Sequence, residues 1–160
     1  MTIKAKVSTR EYRPNDASEL AEIFFNTIHE INAKDYSKDQ LEVWAPTSTL
    51  NSEGWAKKFT RTKPLVAVFE DKIVGFAEFE GNGHIDCFYC HHEWIGKGVG
   101  SALMKAIFRK AEELDIHRIF VEASITARPF FEKNGFVVLK EQQVVKDGVK
   151  LTNYKMEIIR

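Results

Sequence analysis

This chain of 160 residues has only two cysteines, a net charge of zero and no long apolar run. Its two cysteines are too few for a disulfide framework, so we expect both to be reduced. The 23 basic side chains balance the 23 acidic ones, and nothing in the composition indicates a nucleic-acid partner. No apolar run is long enough to span a membrane, and the first residues lack the apolar core of a signal peptide. These absences predict a soluble, cytoplasmic protein without a membrane partner.

The sequence also lacks linkers. No stretch rich in proline, glycine and serine divides it, and it contains no internal repeat. A chain of this length can bury a full hydrophobic core as one unit. We therefore expect a single domain that covers residues 1–160.

A glycine-rich segment is the most informative feature that is present. Gly96, Gly98 and Gly100 alternate with other residues between a β-rich run and a long amphipathic helix. Because glycine has no Cβ atom, the backbone here can approach a ligand closely. The helix that follows offers unpaired N–H groups and a partial positive charge at its start. The segment therefore predicts a binding site for an anionic group such as phosphate.

The spacing of apolar residues predicts helices in the N-terminal part of the chain. The first covers residues 11–32, with Asp16 in a capping box near its start. The second covers residues 36–44 and is capped by Ser37, and a third helical turn covers residues 52–59. Three β-rich runs follow these helices.

These runs cover residues 65–69, 73–79 and 84–91. Their connections are too short for a parallel crossover, so they form an antiparallel meander. After the glycines, a helix that begins at Val99 and a strand over residues 119–123 complete a strand–helix–strand crossover. Such crossovers join parallel strands, so the sheet is mixed.

The C-terminal part continues with a short helix and a hairpin. The helix covers residues 126–134 and ends at Gly135, and the hairpin joins residues 136–145 to residues 149–159. The pattern as a whole is that of an α+β domain with a mixed sheet.

Two segments of this pattern resemble the signatures of the GNAT superfamily of acyl-CoA-dependent N-acetyltransferases. Residues 93–103 are similar to the coenzyme A pyrophosphate loop of that family, and residues 127–136 are similar to its second signature. The resemblance covers nearly the whole chain. It implies a seven-stranded mixed sheet with a β-meander, a central βαβ crossover and helices on both faces.

The resemblance is closer to one branch of the superfamily, the small bacterial YafP-type proteins. The segments similar to that branch are Tyr36-Ser37 ahead of Trp44-Ala45-Pro46, the Ile85-Asp86 pair, and residues 123–131. The implied activity is the transfer of an acetyl group from acetyl-CoA to a primary amine by direct attack in a ternary complex. The implied acceptor is a small-molecule or peptide amine, no metal is required, and the protein is a monomer or a homodimer.

The resemblance also implies a set of cofactor contacts. Backbone N–H groups of the loop hold the pyrophosphate, and the end of the preceding strand pairs with the pantetheine arm. The residues so assigned are Phe88, Tyr89, Cys90, Ile95, Gly96, Lys97, Gly98, Val99, Gly100, Ser101, Ser124 and Phe131. A β-bulge near the strand end would open a V between this strand and residues 119–124. Ser124 is equally well explained as a cap for the helix that follows it.

Two positions depart from the family pattern. Ile95 stands where the loop usually has arginine or glutamine, so one polar contact to the cofactor is missing. Phe131 aligns with the tyrosine that often protonates the departing thiolate, and phenylalanine has no hydroxyl. Because a thiolate is already a fair leaving group, this loss costs only part of the ~10² to 10⁴-fold that general acid catalysis provides.

Acylation needs a free amine, and therefore a group that accepts the amine proton. Asp86 and His84 are the candidates, because strand alternation places His84, Asp86 and Phe88 on one face. The alternative is structural: Asp86 bonds to neighbouring backbone and His84 is a solvated residue at a strand start. The acceptor site is expected to draw on aromatic residues of the N-terminal helices, some of which are core: Phe24, Phe25, His29, Tyr36, Trp44 and Trp55.

Two other classes of function remain as alternatives. One is a metal or redox site built from His84, Cys87, Cys90, His91 and His92. In a strand, residues three apart point to opposite faces, so Cys87 and Cys90 would not share an ion. The other alternative is a module that keeps the fold and binds or senses acyl-CoA without turnover.

Overall fold

A seven-stranded mixed sheet lies at the centre of the protein, with the strand order β1-β2-β3-β4-β5-β7-β6. The computed structural model describes residues 6–160. The strands are Ser8–Glu11 (β1), Leu65–Phe69 (β2), Lys72–Phe79 (β3), His84–Cys90 (β4), Arg118–Ser124 (β5), Val137–Lys146 (β6) and Val149–Ile159 (β7). The helices are Ala17–Glu30 (α1), Lys38–Trp44 (α2), Ser52–Thr62 (α3), Val99–Glu113 (α4) and Arg128–Lys133 (α5). The predicted α+β fold is confirmed.

The start of the chain differs from the prediction. The helix predicted from residue 11 begins only at Ala17, because β1 and a short 3-10 turn come before it. Asp16 does not cap α1 with its side chain. Its carboxylate instead accepts hydrogen bonds from both terminal nitrogens of Arg10, at 2.7 and 3.0 Å, and from the N–H of Arg13. The pairing of β1 with β2 decides this region, and such long-range pairing leaves no local pattern.

The other helices match their patterns more closely. Ser37 caps α2 in the predicted way: its hydroxyl accepts from the N–H of Gln40, and the Gln40 side chain accepts from the N–H of Ser37. In α4, the positions Val99, Leu103, Ile107 and Ala111 are buried against the sheet, whereas Leu114, just past the end of the helix, is 52% exposed. Among residues 6–160, no helix is long and apolar enough to cross a membrane.

The sheet separates two hydrophobic cores. One core lies between the sheet and α4 and includes Leu103, Ile107 and Phe131. The other lies between the sheet and the helices α1 and α3, and includes Leu20 and Phe59. The β2–β3–β4 meander is antiparallel and β4 pairs with β5 in parallel, as predicted. The crossover helix α4 therefore lies on one face, and the N-terminal helices lie on the other.

Two irregularities in β4 shape the site. Ala77 pairs with Phe88 and Phe79 pairs with Ile85, so β4 has one residue more than β3 between these pairs. This extra residue is a β-bulge at Asp86 and Cys87. In addition, β4 pairs with β5 only through its first two residues, and the last pair joins Ile85 to Val121. Beyond this pair the strands separate into the V that the resemblance implies.

The turn before β4 depends on a glycine. Gly83 has a φ of +94°, and a Cβ atom there would lie 2.1 Å from the carbonyl oxygen of Arg118. We expect Gly83→Ala to lower the free energy of unfolding by about 3 kcal/mol or more, because a left-handed conformation and a backbone clash add up. Urea unfolding measures this effect. Gly81→Ala in the same turn is the matched control, since a Cβ atom there meets nothing within 4 Å. Equal losses in both variants would contradict the prediction.

Candidate active site

The glycine loop leads into α4 with open space around it. Gly96 and Gly98 have φ values of +75° and +88°, and an added Cβ atom would meet nothing within 4 Å at either position. Gly98 is the N-cap residue of α4, and no side chain caps the helix there. The first N–H groups of a 15-residue helix therefore lack a side-chain partner and carry the positive end of its dipole. This arrangement can bind a phosphate group.

The third glycine has a different role. A Cβ atom at Gly100 would lie 2.9 Å from the ring of Phe130 in α5. The absence of a side chain thus allows α4 and α5 to pack closely. The two sequence signatures, which lie far apart in the chain, are joined by this contact. On the outer side of the loop, Lys97 is exposed and its Nζ lies 5.1 Å from the centre of the Trp94 ring.

A cleft of about 430 Å³ runs from the loop into the split between β4 and β5. All the residues assigned to the cofactor from the sequence line it, except Lys97 and Phe131. They are Phe88, Tyr89, Cys90, Ile95, Gly96, Gly98, Val99, Gly100, Ser101 and Ser124. A second cavity of about 410 Å³ lies near Glu112 and His117, at the far end of α4, and touches no part of the loop.

Phe131 lies inside the core and does not line the cleft. It is 2% exposed and packs against the rings of Phe88, Phe130 and Phe136. Its neighbour Phe130 lines the cleft in its place. The direct cofactor contact assigned to Phe131 is therefore wrong in this structure, because the short helix α5 turns Phe130 to the cleft and Phe131 inward.

Ser124 lines the cleft, and its hydroxyl accepts a hydrogen bond from the N–H of Ala127 at 3.0 Å. Ala127 is the N-cap residue of α5 and no side chain caps that helix, so the interpretation of Ser124 as its cap is wrong. Nδ2 of Asn32 lies 3.4 Å from the same hydroxyl. Asn32 and Thr27 come from the region of α1 and line the cleft opposite the loop, and the Thr27 hydroxyl donates to the carbonyl oxygen of Cys90. No sequence pattern indicated these two residues.

His84 and Asp86 lie together on one face of the sheet. The prediction that Phe88 shares this face is wrong. The bulge adds one residue between Ile85 and Phe88, so Phe88 turns to the α4 side of the sheet. Asp86 points to the opposite side, where it contacts Lys58 of α3. Neither His84 nor Asp86 lines the cleft. Both lie beside the last β4–β5 pair, at the apex of the V.

His84 is held between two carboxylates. Nδ1 lies 2.6 Å from an oxygen of Glu80, and Nε2 lies 2.6 Å from an oxygen of Glu122. Burial lowers the pKa of His84, but these two hydrogen bonds outweigh it, and the pKa is raised above its usual value. Both nitrogens can donate only when the imidazole is protonated. His84 is therefore suited to orient Glu80 and Glu122 rather than to accept a proton.

Asp86 belongs to a second charged group that the sequence did not indicate. Its Oδ2 atom lies 2.8 Å from Nζ of Lys58, and the same Nζ lies 2.9 Å from Oε1 of Glu78. Glu78 is 0% exposed, whereas the Asp86 side chain is 39% exposed. A charged residue at a core position of β3 was the one signal available in the sequence. The structural alternative, in which Asp86 bonds only to backbone, does not describe this arrangement.

Comparison with known proteins agrees with this geometry. The family model described as "Acetyltransferase (GNAT) domain" matches residues 32–158. The chain belongs to the GNAT acetyltransferase family. It is 33% identical over 150 residues to the uncharacterized N-acetyltransferase YafP of Escherichia coli, and the match covers 94% of each chain. The resemblance to the YafP-type GNAT branch is thereby confirmed.

Solved structures support the same GNAT fold. A GCN5-related N-acetyltransferase from Rhodopseudomonas palustris, also described as "Aminotransferase, Class-II", superposes with a TM-score of 0.91 at 31% identity, over 100% of this chain and 99% of that one. PaiA N-acetyltransferase from Thermoplasma acidophilum, in complex with coenzyme A, gives 0.78 at 18% identity, over 97% and 99%. YncA from Salmonella typhimurium, with acetyl-CoA, gives 0.73 at 17% identity, over 98% and 94%. The last two show the shared fold alone.

The cysteines of this GNAT chain lie on opposite faces of the sheet. Cys87 belongs to the core under α1 and α3, and Cys90 packs against the core under α4. Burial raises the pKa of the Cys90 thiol to about 12 and raises that of Cys87 well above its usual value. Because the two side chains lie on opposite faces of the sheet, they cannot ligate one ion together or act as a redox pair.

The aromatic residues expected at the acceptor site divide into two groups. Phe24 and Tyr36 are buried in the core. Phe25, Trp44 and Trp55 are only partly buried and lie on the side of the sheet that Asp86 faces. The His29 ring, which packs on Phe25, lies 2.7 Å from the carbonyl oxygen of Ala45 through Nε2. The partly buried group is the one available to an acceptor.

Proposed function

We propose that this protein transfers an acetyl group from acetyl-CoA to a primary amine by direct attack in a ternary complex. The observation that carries the proposal is the uncapped start of α4 behind Gly98, which opens onto a cleft leading into the β4–β5 split. An extended ligand with a phosphate group at one end matches this shape. Coenzyme A has that form, and two GNAT structures of the same fold are complexes with coenzyme A or acetyl-CoA.

The cofactor would be held mainly by backbone. Its pyrophosphate would accept hydrogen bonds from N–H groups between Ile95 and Ser101, with Lys97 as the nearby cation. Ile95 is 48% exposed at the cleft and adds apolar contact in place of a polar one. The pantetheine arm would lie along Phe88, Tyr89 and Cys90, beside Ser124 on the facing strand. Its acyl end would point toward the apex of the V.

The apex is where we place the chemistry. The amine nitrogen attacks the thioester carbonyl carbon, and its N–C bond forms as the carbonyl π electrons move to oxygen. The C–S bond then breaks, and the electron pair leaves with the thiolate sulfur. The nitrogen loses one proton, which passes to Asp86 directly or through a water molecule. Asp86 follows the last β4–β5 pair, faces the partly buried aromatic group and is partly exposed, and these three features support this assignment.

His84 and Phe131 have indirect roles in this proposal. His84, raised in pKa between Glu80 and Glu122, keeps two carboxylates in place beside Asp86. Phe131 supports the cleft wall beneath Phe88 and supplies no proton. The thiolate therefore leaves without a tyrosine acid, which its own stability as a leaving group permits.

Thiol release from acetyl-CoA, measured with a thiol reagent across a panel of small amines and peptide N-termini, tests the proposal. We expect release that depends on the amine and yields the N-acetylated product by mass spectrometry. Calorimetric titration with acetyl-CoA runs alongside. Tight acetyl-CoA binding without turnover across the whole panel would favour the sensing module, and neither binding nor turnover would reject both.

A further inference from the structure

A buried carboxylate lies next to Asp86. Glu78 of β3 faces the bulge and is 0% exposed, and its Oε1 atom is 2.9 Å from Nζ of Lys58. Neither carboxylate oxygen has a hydrogen-bond partner of regular geometry among the described residues, so the contact with Lys58 is an ion pair. An ionised carboxylate in such a place costs several kcal/mol unless a cation compensates it. Lys58 supplies that cation, although α3 is a helix whose polar residues mostly face solvent.

The Lys58 ammonium is fixed from several directions. Besides Glu78, it contacts Oδ2 of Asp86 at 2.8 Å, and it lies 5.4 Å from the centre of the Trp55 ring. Burial alone would lower the pKa of Lys58, but the carboxylates of Asp86 and Glu78 raise it above its usual range. The side chain therefore stays charged and cannot act as a nucleophile or a base itself.

We propose that Lys58 and Glu78 are positioning residues for Asp86 and act as a neutral pair. Lys58 holds one carboxylate oxygen of Asp86 and leaves the other free for the amine proton. The charge of Glu78 balances the ammonium, so the pair orients Asp86 without placing a net positive charge beside it. This inference rests on the proposed function, in which Asp86 accepts the proton.

The other charged groups near Asp86 do not supply this balance. Glu80 and His84 come within 4.8 Å of Asp86 through their ligand atoms, and His84 also bonds to Glu122 from β5. His84 bonds to Glu80 and Glu122, and none of these three residues bonds to Lys58 or Glu78. Burial raises the pKa of the Cys87 thiol, so this nearest neighbour on β4 stays neutral. Lys58 and Glu78 are therefore the charges that can be altered separately.

The two partners have opposite expected effects. In Glu78→Gln the ammonium loses its counter-charge, so Asp86 should bind its proton less readily and the acidic limb of the pH–rate profile should move to lower pH. In Lys58→Met the ammonium that favours the ionised form of Asp86 is lost, and the limb should move to higher pH. Each shift of the acidic limb should be about half a pH unit or more. It should stay below the shifts known for fully buried groups, because Asp86 is partly exposed to solvent. A purely structural defect would lower the rate without opposite shifts.

The test measures kcat/KM for acetyl-CoA against pH, with methoxyamine as acceptor because its nitrogen is unprotonated near neutral pH. Carbon-13 NMR of the Asp86 carboxyl group follows the same titration without turnover, and Lys58→Arg is the conservative variant that should retain the wild-type profile.

Opposite shifts of the two variants in both measurements support the positioning role of Lys58 and Glu78. If turnover is intact but the titration midpoints of the two variants do not move, or move in the same direction, the positioning role of Lys58 and Glu78 is overturned and the proposed function is not. Absence of turnover in the wild type with every acceptor overturns the proposed function, and with it the catalytic role of the pair. If Glu78→Gln does not fold, the upward shift in Lys58→Met decides.

Discussion

Gly98→Glu should weaken the binding of acetyl-CoA by about 100-fold or more. The new side chain would enter the open space at the start of α4 and bring a negative charge to the place where the pyrophosphate binds. Like charges at an interface cost several kcal/mol, and each 1.4 kcal/mol is a factor of ten in affinity. Isothermal titration calorimetry with acetyl-CoA measures the change directly.

Gly148→Glu is the matched control for this variant. Gly148 has a φ of +79°, close to the +88° of Gly98, and a Cβ atom at either position meets nothing within 4 Å. Both substitutions therefore carry a similar backbone strain. Gly148 lies in the β6–β7 turn, away from the cleft, so its variant should bind acetyl-CoA as the wild type does. Equal affinities in the two variants would remove the phosphate site from the loop.

Asp86→Asn should lower kcat by about 10² to 10⁴-fold, the usual contribution of a general base. The amide has the same shape as the carboxylate but cannot accept the amine proton. Turnover should then rise more steeply with pH on the alkaline side, where solvent base takes over. Steady-state thiol release with a fixed amine, measured at several pH values, gives both quantities.

Two further variants separate the general base from its surroundings. His84→Gln should reduce kcat much less than Asp86→Asn, because His84 is held as a donor between Glu80 and Glu122. Asp71→Asn, in the exposed turn between β2 and β3, controls for the loss of one negative charge on the surface. A pH profile for Asp86→Asn that matches the wild type would exclude Asp86 from the mechanism. A larger loss in His84→Gln would transfer the base role to His84.

Local patterns were enough to predict most of the fold. The short connections between β2, β3 and β4 allow only an antiparallel meander, and the helix after Gly98 allows only a parallel return to β5. The four-residue strand β1 was missed because its pairing with β2 stabilises it and its own sequence does not. Strand pairing across a long stretch of chain has no signature in a short window.

The site was predictable where it depends on the backbone and unpredictable where it depends on charge pairs. The loop around Gly98 could be found because glycine has few other reasons to alternate ahead of a helix. The sheet face predicted for Phe88 was wrong because one bulge residue reverses the alternation of side chains along the strand, and no sequence rule fixes where a bulge occurs. Lys58 and Asp86 lie on a helix and a strand far apart in the sequence, so only the folded chain brings them together.

The early separation of β4 and β5 makes the stability of the folded protein depend on the ligand that fills the gap. Past Ile85 and Val121, the two strands have no β-ladder pairing with each other, and their facing polar groups border the open cleft. A pantetheine arm in the gap would complete the sheet. A ligand that binds only the folded state raises the free energy of unfolding by mass action. Under the proposed function, proteolysis of this protein would therefore slow as the acetyl-CoA concentration rises. The amount of enzyme would then follow the concentration of its acyl donor.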